Sequence, residues 1–212
     1  MSKVDKQLAN PKEPFLIVEE RVCSELVVCA PHHAPKGVDV LPCGHVSDEN
    51  VGYLARFLGQ KLKVASVVVV NGTVDPNKSL ETDYAKALCS FKPRVLIEIH
   101  GHGGERAQAD VEISAGSKER ERYAILLADA LKDQIKGYPL LCDLTISAQW
   151  DQIYFKALHT ATIKKDDWFG LHIELPAKLR LQKESNEPPS AGYLFCSVLA
   201  AVLRDLAGDF LP

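Results

Sequence analysis

Four of the seven histidines stand in two pairs, each placed directly after a run of apolar residues. His32 and His33 follow Leu26–Ala30, and His100 and His102 follow Val95–Ile99. Both runs are rich in branched aliphatic residues and read as strands, which puts the two pairs at one rim of one sheet. Glu49 lies between them in the chain, near the same rim if the chain winds regularly. Two neutral imidazoles and one carboxylate, with a fourth position left open, are the donor set of catalytic Zn²⁺. Such a metal brings the pKa of water to about 7 and makes it a nucleophile. His33 and His45 compete with His32 for the first ligand position, and Asp48 competes with Glu49 for the carboxylate.

A second carboxylate stands in an apolar setting. The stretch Phe169–Leu175 reads FGLHIEL, with Glu174 between Ile173 and Leu175 and His172 two positions earlier on the same face. An ionised, unpaired Glu there is costly, so it is paired, neutralised or functional. The functional reading is a general base that takes a proton from water activated by the metal. Asp75-Pro76-Asn77-Lys78 supplies a neutral donor and a point charge, Asn77 and Lys78, suited to holding a substrate carboxylate. Arg106, in the glycine-rich stretch GHGGERAQ after His100, and Lys78 are the candidates for stabilising a developing oxyanion.

These residues need elements to position them. The runs Phe15–Val22, Leu26–Ala30, Ala65–Val70, Val95–Ile99, Val111–Ser114, Leu140–Ile146 and Phe169–Leu175 read as strands, with Pro31 ending the second. Ser47 is an N-cap candidate for a helix carrying Val51, Leu54, Leu58 and Leu62 on one face, with Asp48 and Glu49 at its positive end. Further helices are expected over Glu81–Lys92, from Ser117 to Gly137, and from Pro189–Ser190 to about Leu206. Strands that are apolar throughout, alternating with helices, define an α/β fold: a single domain with a mixed, mainly parallel sheet and helices on both faces. Ligands bind at the carboxyl ends of such strands. Residues 1–13 read as a flexible polar leader and 14–212 as the domain.

Composition narrows the function classes. The 212 residues are 46% hydrophobic and 25% charged, ordinary for a soluble domain that needs neither disulfides nor structural metal to fold. A net charge of −3 gives no basic excess for nucleic acid, and no apolar run approaches the ~20 residues that span a bilayer. The N-terminus lacks a signal-peptide core, so a cytoplasmic protein is expected. The six cysteines form no CxxC pair; four of them (Cys29, Cys89, Cys142, Cys196) lie in apolar runs and read as reduced core thiols. The loop His100–Gly104 lacks the GxGxxG and Walker patterns, which disfavours nucleotide binding.

The order of these pieces resembles the zinc carboxypeptidase-like superfamily, and within it the N-formylglutamate amidohydrolase-like proteins. The resemblance runs through Pro31-His32, Ser47-Asp48-Glu49-Asn50, Asp75-Pro76-Asn77-Lys78, Ile97-Glu98-Ile99-His100, the Asp-containing stretch Asp110–Gly116, and His172-Ile173-Glu174-Leu175. It covers roughly residues 15–180. It implies a zinc carboxypeptidase or phosphorylase/hydrolase-like fold, with Zn²⁺ held by His32, Glu49 and His100, Glu174 as general base, and Asn77 with Lys78 gripping a substrate carboxylate. Carboxypeptidases proper carry a Glu ligand three residues after the first His; Pro35 stands there, so the carboxylate comes from elsewhere. Lys78 stands where the family pattern has Arg, which reduces a bidentate clamp to a single contact. The implied activity is zinc-dependent hydrolysis of a small N-acylated amino acid or a peptide-like amide. The rivals are a zinc carboxypeptidase and a catalytically silent relative that binds a small molecule or a protein.

Overall fold

Valine-rich, β-branched stretches favour extended backbone and pack well on a pleated surface. They set the centre of the sheet in the computed structural model, which describes residues 7–9 and 13–206. The strands are β1 (Phe15–Glu19), β2 (Cys23–Ala34), β3 (Asp48–Glu49), β4 (Val64–Val70), β5 (Val95–His102), β6 (Val111–Ser114), β7 (Ile146–Ser147) and β8 (Phe169–Pro176). They form one sheet in the order β1-β4-β2-β5-β8-β6-β7, with β3 beside β2. The run β4-β2-β5-β8 is parallel, while β1 and β6 are antiparallel to β4 and β8. The expected mixed, mainly parallel sheet is therefore present. The helices are α1 (Val51–Leu62), α2 (Asp83–Phe91), α3 (Glu121–Ile135), α4 (Ala161–Lys164), α5 (Ala177–Arg180) and α6 (Ser190–Asp205). No helix among the described residues is long and apolar enough to cross a membrane.

The two faces of the sheet differ in kind. On one face Val28, Ala30, Val68, Ile97, Ile99, Ile113 and Ile173 pack against α1, α3 and α6 in the large core. The other face carries a smaller core of Val27, Cys29, Val67 and Leu96 under Tyr84 and Leu88 of α2, with Ile163 and Trp168. Strand alternation carries that second face onward as Glu98, His100 and His102 on β5, His172 and Glu174 on β8, and Glu112 on β6. All six are buried. Apolar residues thus cover one part of this face and ionisable ones another.

Several elements depart from the sequence expectations, each for a physical reason. Pro31 does not end its strand. Ala30 pairs with Val68 and His33 with Val70, so three residues of β2 span two of β4. This bulge accommodates the missing proline N–H and inverts the side-chain alternation. His33 therefore turns toward α1: its Nδ1 accepts the Gly52 N–H at 3.2 Å, and its Nε2 donates to the Leu8 carbonyl at 3.4 Å. Burial pushes the His33 pKa down to about 4, so it is a neutral core residue. Ser47 does not cap α1; its hydroxyl donates to the Val38 carbonyl. The cap is Asn50, in the left-handed region at φ 65°, which Asn tolerates. Asp48 and Glu49 form the short β3 beside His33 and Ala34 instead of a first helical turn.

Elsewhere, β1 stops at Glu19, and Leu140–Ile146 is mostly turns: Leu141 is buried, but Leu140 is exposed and only Ile146–Ser147 pairs. Of the thiols read as core, Cys29 and Cys196 are buried, Cys89 is half-buried and Cys142 is exposed. Most of the leader 1–13 lies outside the described residues, although Leu8 is fully buried.

A polar knot ties the edge strand to α1. Glu19 accepts from Arg56 at 2.8 and 3.0 Å, from Arg21 at 2.9 Å and from the Ser66 hydroxyl at 3.0 Å. Burial opposes ionisation of Glu19, but these donors outweigh it and lower its pKa. Removing one partner of a half-buried ion pair leaves the other charge only partly compensated by solvent. Glu19→Ala is expected to lower unfolding stability by about 1–2 kcal/mol in urea titration, less than for a fully buried pair because solvent screens it, without changing metal content.

Candidate metal centre and its cleft

The C-terminal ends of β2, β3 and β5 converge on one carboxylate, and β8 lies beside them. Asp48 Oδ2 lies 2.9 Å from His100 Nδ1 and 3.5 Å from His32 Nδ1. The remaining nitrogen of each imidazole meets another carboxylate: His32 Nε2 lies 3.0 Å from Asp75 Oδ1, and His100 Nε2 lies 3.4 Å from Glu98 Oε2. A carboxylate only accepts, so His32 donates from Nε2 to Asp75 and in its neutral form turns a bare Nδ1 toward Asp48. That nitrogen is buried and has no hydrogen-bond partner. Two acceptors facing each other across 3.5 Å need either a second proton on the imidazole or a cation between them.

The donor set fits zinc. His32, Asp48 and His100 each offer one ligand atom, all within 4.8 Å of one another and all buried. Both imidazoles present Nδ1 to the centre and are oriented by a carboxylate on Nε2, the outer-shell arrangement that fixes tautomer and ring direction in metal sites.

Without the metal, the same groups hold one another by charge. Burial works against a charged His100, but Asp48 and Glu98 outweigh it and push its pKa up to about 10. His32 is raised as well, burial again being overcome by Asp48 and Asp75. Burial opposes ionisation of Asp48 too, yet the two imidazoles hold it well below the usual carboxylate range.

The structure brings Asp48, and not Glu49, to the two histidines. The β3 pairing points successive side chains to opposite sides, and the Glu49 carboxylate accepts from the Gly37 N–H at 2.5 Å. Of the rivals to His32, His33 faces the core. His45 stacks on His32 with ring centroids 3.9 Å apart, and its Nδ1 donates to the Val46 carbonyl at 2.6 Å.

Glu174 lies across β5–β8 from His100 in register. His172 Nε2 donates to its Oε1 at 2.9 Å, leaving Oε2 buried and without a hydrogen-bond partner. Both line, with His32, Asp48 and His100, a cleft of about 760 Å³. Lys78 and Arg106 are exposed on its wall, and Arg106 donates to the Tyr154 hydroxyl at 2.8 Å. Asn77 also lines it, but its amide donates to Glu98 Oε2 at 3.2 Å, so part of its capacity serves the protein rather than a ligand.

Two site residues escaped the sequence reading. Glu98 is fully buried and accepts from Tyr84, Thr162 and Asn77. Its signal was present, since VLIEI sets a Glu in an apolar strand just as LHIEL does. Arg180 had no such signal. Its buried guanidinium donates to the carbonyls of Leu175 at 3.1 Å, Glu49 at 2.8 Å and His102 at 3.0 Å, stapling the ends of β8, β3 and β5. It also explains Gly101, where a Cβ would lie 2.3 Å from the guanidinium carbon.

No protein-family model and no curated protein sequence matches the chain. The fold, in contrast, is shared with solved structures, two of them named as hydrolases. A bacteriophage poly-gamma-glutamate hydrolase aligns with TM-score 0.60 at 10% identity, over 97% of this chain and 95% of the other. The N-formylglutamate amidohydrolase of Ralstonia eutropha JMP134 aligns with TM-score 0.57 at 14% identity, over 92% and 97%. YNDL in its zinc-free form aligns with TM-score 0.62 at 15% identity, over 94% of each chain. The chain thus shares its α/β fold, a single domain with a mixed and mainly parallel sheet, with these solved structures.

Two outcomes are expected. Asp48→Asn abolishes zinc retention in elemental analysis of the purified protein, whereas Glu49→Gln leaves it unchanged; the opposite result would exchange their roles. Zinc binding at pH 8 releases about one proton or more per chain, because a ligating imidazole must be neutral while His100 stays charged up to a pKa of about 10. Calorimetric titration in two buffers of different ionisation enthalpy measures that proton.

Proposed function

We propose that the protein is a zinc-dependent amidohydrolase acting on a small N-acylated amino acid or a peptide-like amide. The observation that carries this reading is the convergence of His32 Nδ1, His100 Nδ1 and Asp48 Oδ2, with a bare oxygen of Glu174 in the same cleft. The fold shared with an N-formylglutamate amidohydrolase and a poly-gamma-glutamate hydrolase supports it. His32, Asp48 and His100 would hold the ion. Bound there, zinc supplies a Lewis acid that polarises an amide carbonyl and makes water a nucleophile near neutral pH.

The chain's own residues do the rest. Glu174 takes a proton from the attacking water at Oε2 and delivers it to the leaving nitrogen. His172 fixes the carboxylate by donating to Oε1, so Oε2 is the oxygen left to act. Its pKa is lowered by burial and by the neighbouring His100, against the pull of Glu174, which keeps its ring a neutral donor. Lys78 offers a single point charge to a substrate carboxylate at the wall, and Arg106 a second cation. Asn77 acts chiefly through Glu98, which orients His100.

Glu174→Gln should retain about one zinc per chain and lose about 10²- to 10⁴-fold in kcat toward N-formyl-L-glutamate, N-acetyl amino acids or short γ-glutamyl peptides. Full activity in this variant would remove Glu174 from the role of base.

A further inference from the structure

The stretch Asp110–Ser114 has no role in the chemistry above, yet it carries a fully buried carboxylate. Glu112 sits on β6, on the cleft face of the sheet and directly across from Glu174. Burying a carboxylate is costly unless its oxygens are hydrogen-bonded. Its partners are main-chain amides from two separate loops. Oε1 accepts from the Gln108 N–H at 2.6 Å, and Oε2 accepts from the N–H groups of Tyr154 and Phe155, both at 2.8 Å. Hydrogen bonds to a charged acceptor are roughly twice as strong as neutral ones, so these three are strong anchors.

Each anchored loop contributes to the cleft wall. The loop of Gln108 carries Arg106, and the other carries Tyr154 and Phe155. The loops meet where Arg106 donates to the Tyr154 hydroxyl and lies over its ring, 5.7 Å from the centroid. Phe155 stacks on His102 at 5.6 Å, and His102 Nε2 donates to the Asp110 carbonyl at 2.9 Å. Residues 110–112 therefore grip the wall at both ends, through a carbonyl under His102 and a carboxylate between the loops.

We propose that Glu112 is a positioning residue that assembles the Arg106–Tyr154–Phe155–His102 wall and thereby sets substrate affinity rather than the chemical step. The kinetic part rests on the amidohydrolase reading; the structural part does not. The groups assigned to metal and proton transfer lie on β2, β3, β5 and β8, held by Asp75, Glu98, His172 and Arg180 instead.

The test uses the full-length, zinc-loaded protein and two variants. Glu112→Gln replaces one acceptor oxygen with an NH₂ that cannot accept; Glu112→Asp keeps the charge but is one methylene too short to span both loops. Hydrogen exchange read by NMR is expected to quicken at least tenfold at the Gln108, Tyr154 and Phe155 amides, with the amides of β5 and β8 unchanged. Unchanged exchange at the three loop amides in both variants would overturn the clamp, as would uniform quickening across the sheet. On N-formyl-L-glutamate, or another amide from the panel that the wild type turns over, KM is expected to rise about tenfold with kcat within twofold. The KM effects of Glu112→Gln and Arg106→Ala should be less than additive if they act on one wall. A fall in kcat at constant KM would refute the positioning role. If the wild type hydrolyses none of the panel, the amidohydrolase reading fails, and the exchange measurement still decides the clamp.

Discussion

One carboxylate organises this protein's polar half. Asp48 is buried between His32 and His100, and a charge in that position is tolerable only with compensation. Two imidazoles provide it, and each is completed from behind by a further carboxylate, Asp75 or Glu98. Glu98 in turn is satisfied by Tyr84, Thr162 and Asn77. The chain of dependence runs from the centre outward: each buried charge requires the next, and the outermost is met by neutral donors or solvent. A divalent cation at the centre fits this arrangement, because it takes the place of the protons that the imidazoles otherwise carry.

The sheet makes this network affordable by separating two duties. The face under α1, α3 and α6 holds the large apolar core, so the opposite face, with its smaller core under α2, can also carry ionisable groups. Strand periodicity does the sorting. Every second residue of VLIEIHGH and FGLHIELP lies on the sheet face that carries the cleft, where Leu96 belongs to the smaller core and His100, His102, His172 and Glu174 line the cleft. The intervening valine, isoleucine and leucine residues secure the strands in the large core. Two irregularities adjust the pattern. The bulge at Pro31 separates two adjacent histidines, sending His32 to the site and His33 to the core. Arg180 locks the ends of three strands through their carbonyls, so that residues from distant parts of the chain keep a fixed separation.

The cleft walls obey a different economy. They are loops, and loops lack a ladder to hold them. Glu112 supplies main-chain anchoring from the strand beneath, and the Tyr154–Arg106 and Phe155–His102 contacts join the loops above. The strands thus carry the buried imidazoles and carboxylates, while loops anchored on Glu112 form the wall of the cleft.

The sequence alone determined the strands at the centre of the sheet, the α/β class, and the placement of His32, His100 and Glu174 at strand ends. These follow from local periodicity, which depends only on neighbouring residue types. It did not determine which acidic residue joins the histidines. A capping helix start and a short strand use the same residues, Ser47-Asp48-Glu49, and only the pairing of β3 with β2 turns Asp48 inward and Glu49 toward Gly37. Nor did it reveal that Pro31 lies within a strand, since a bulge is defined by the register of the partner strand. The roles of Glu112 and Arg180 were likewise decided in three dimensions. Their partners are backbone amides and carbonyls, which every residue carries and which no residue type announces.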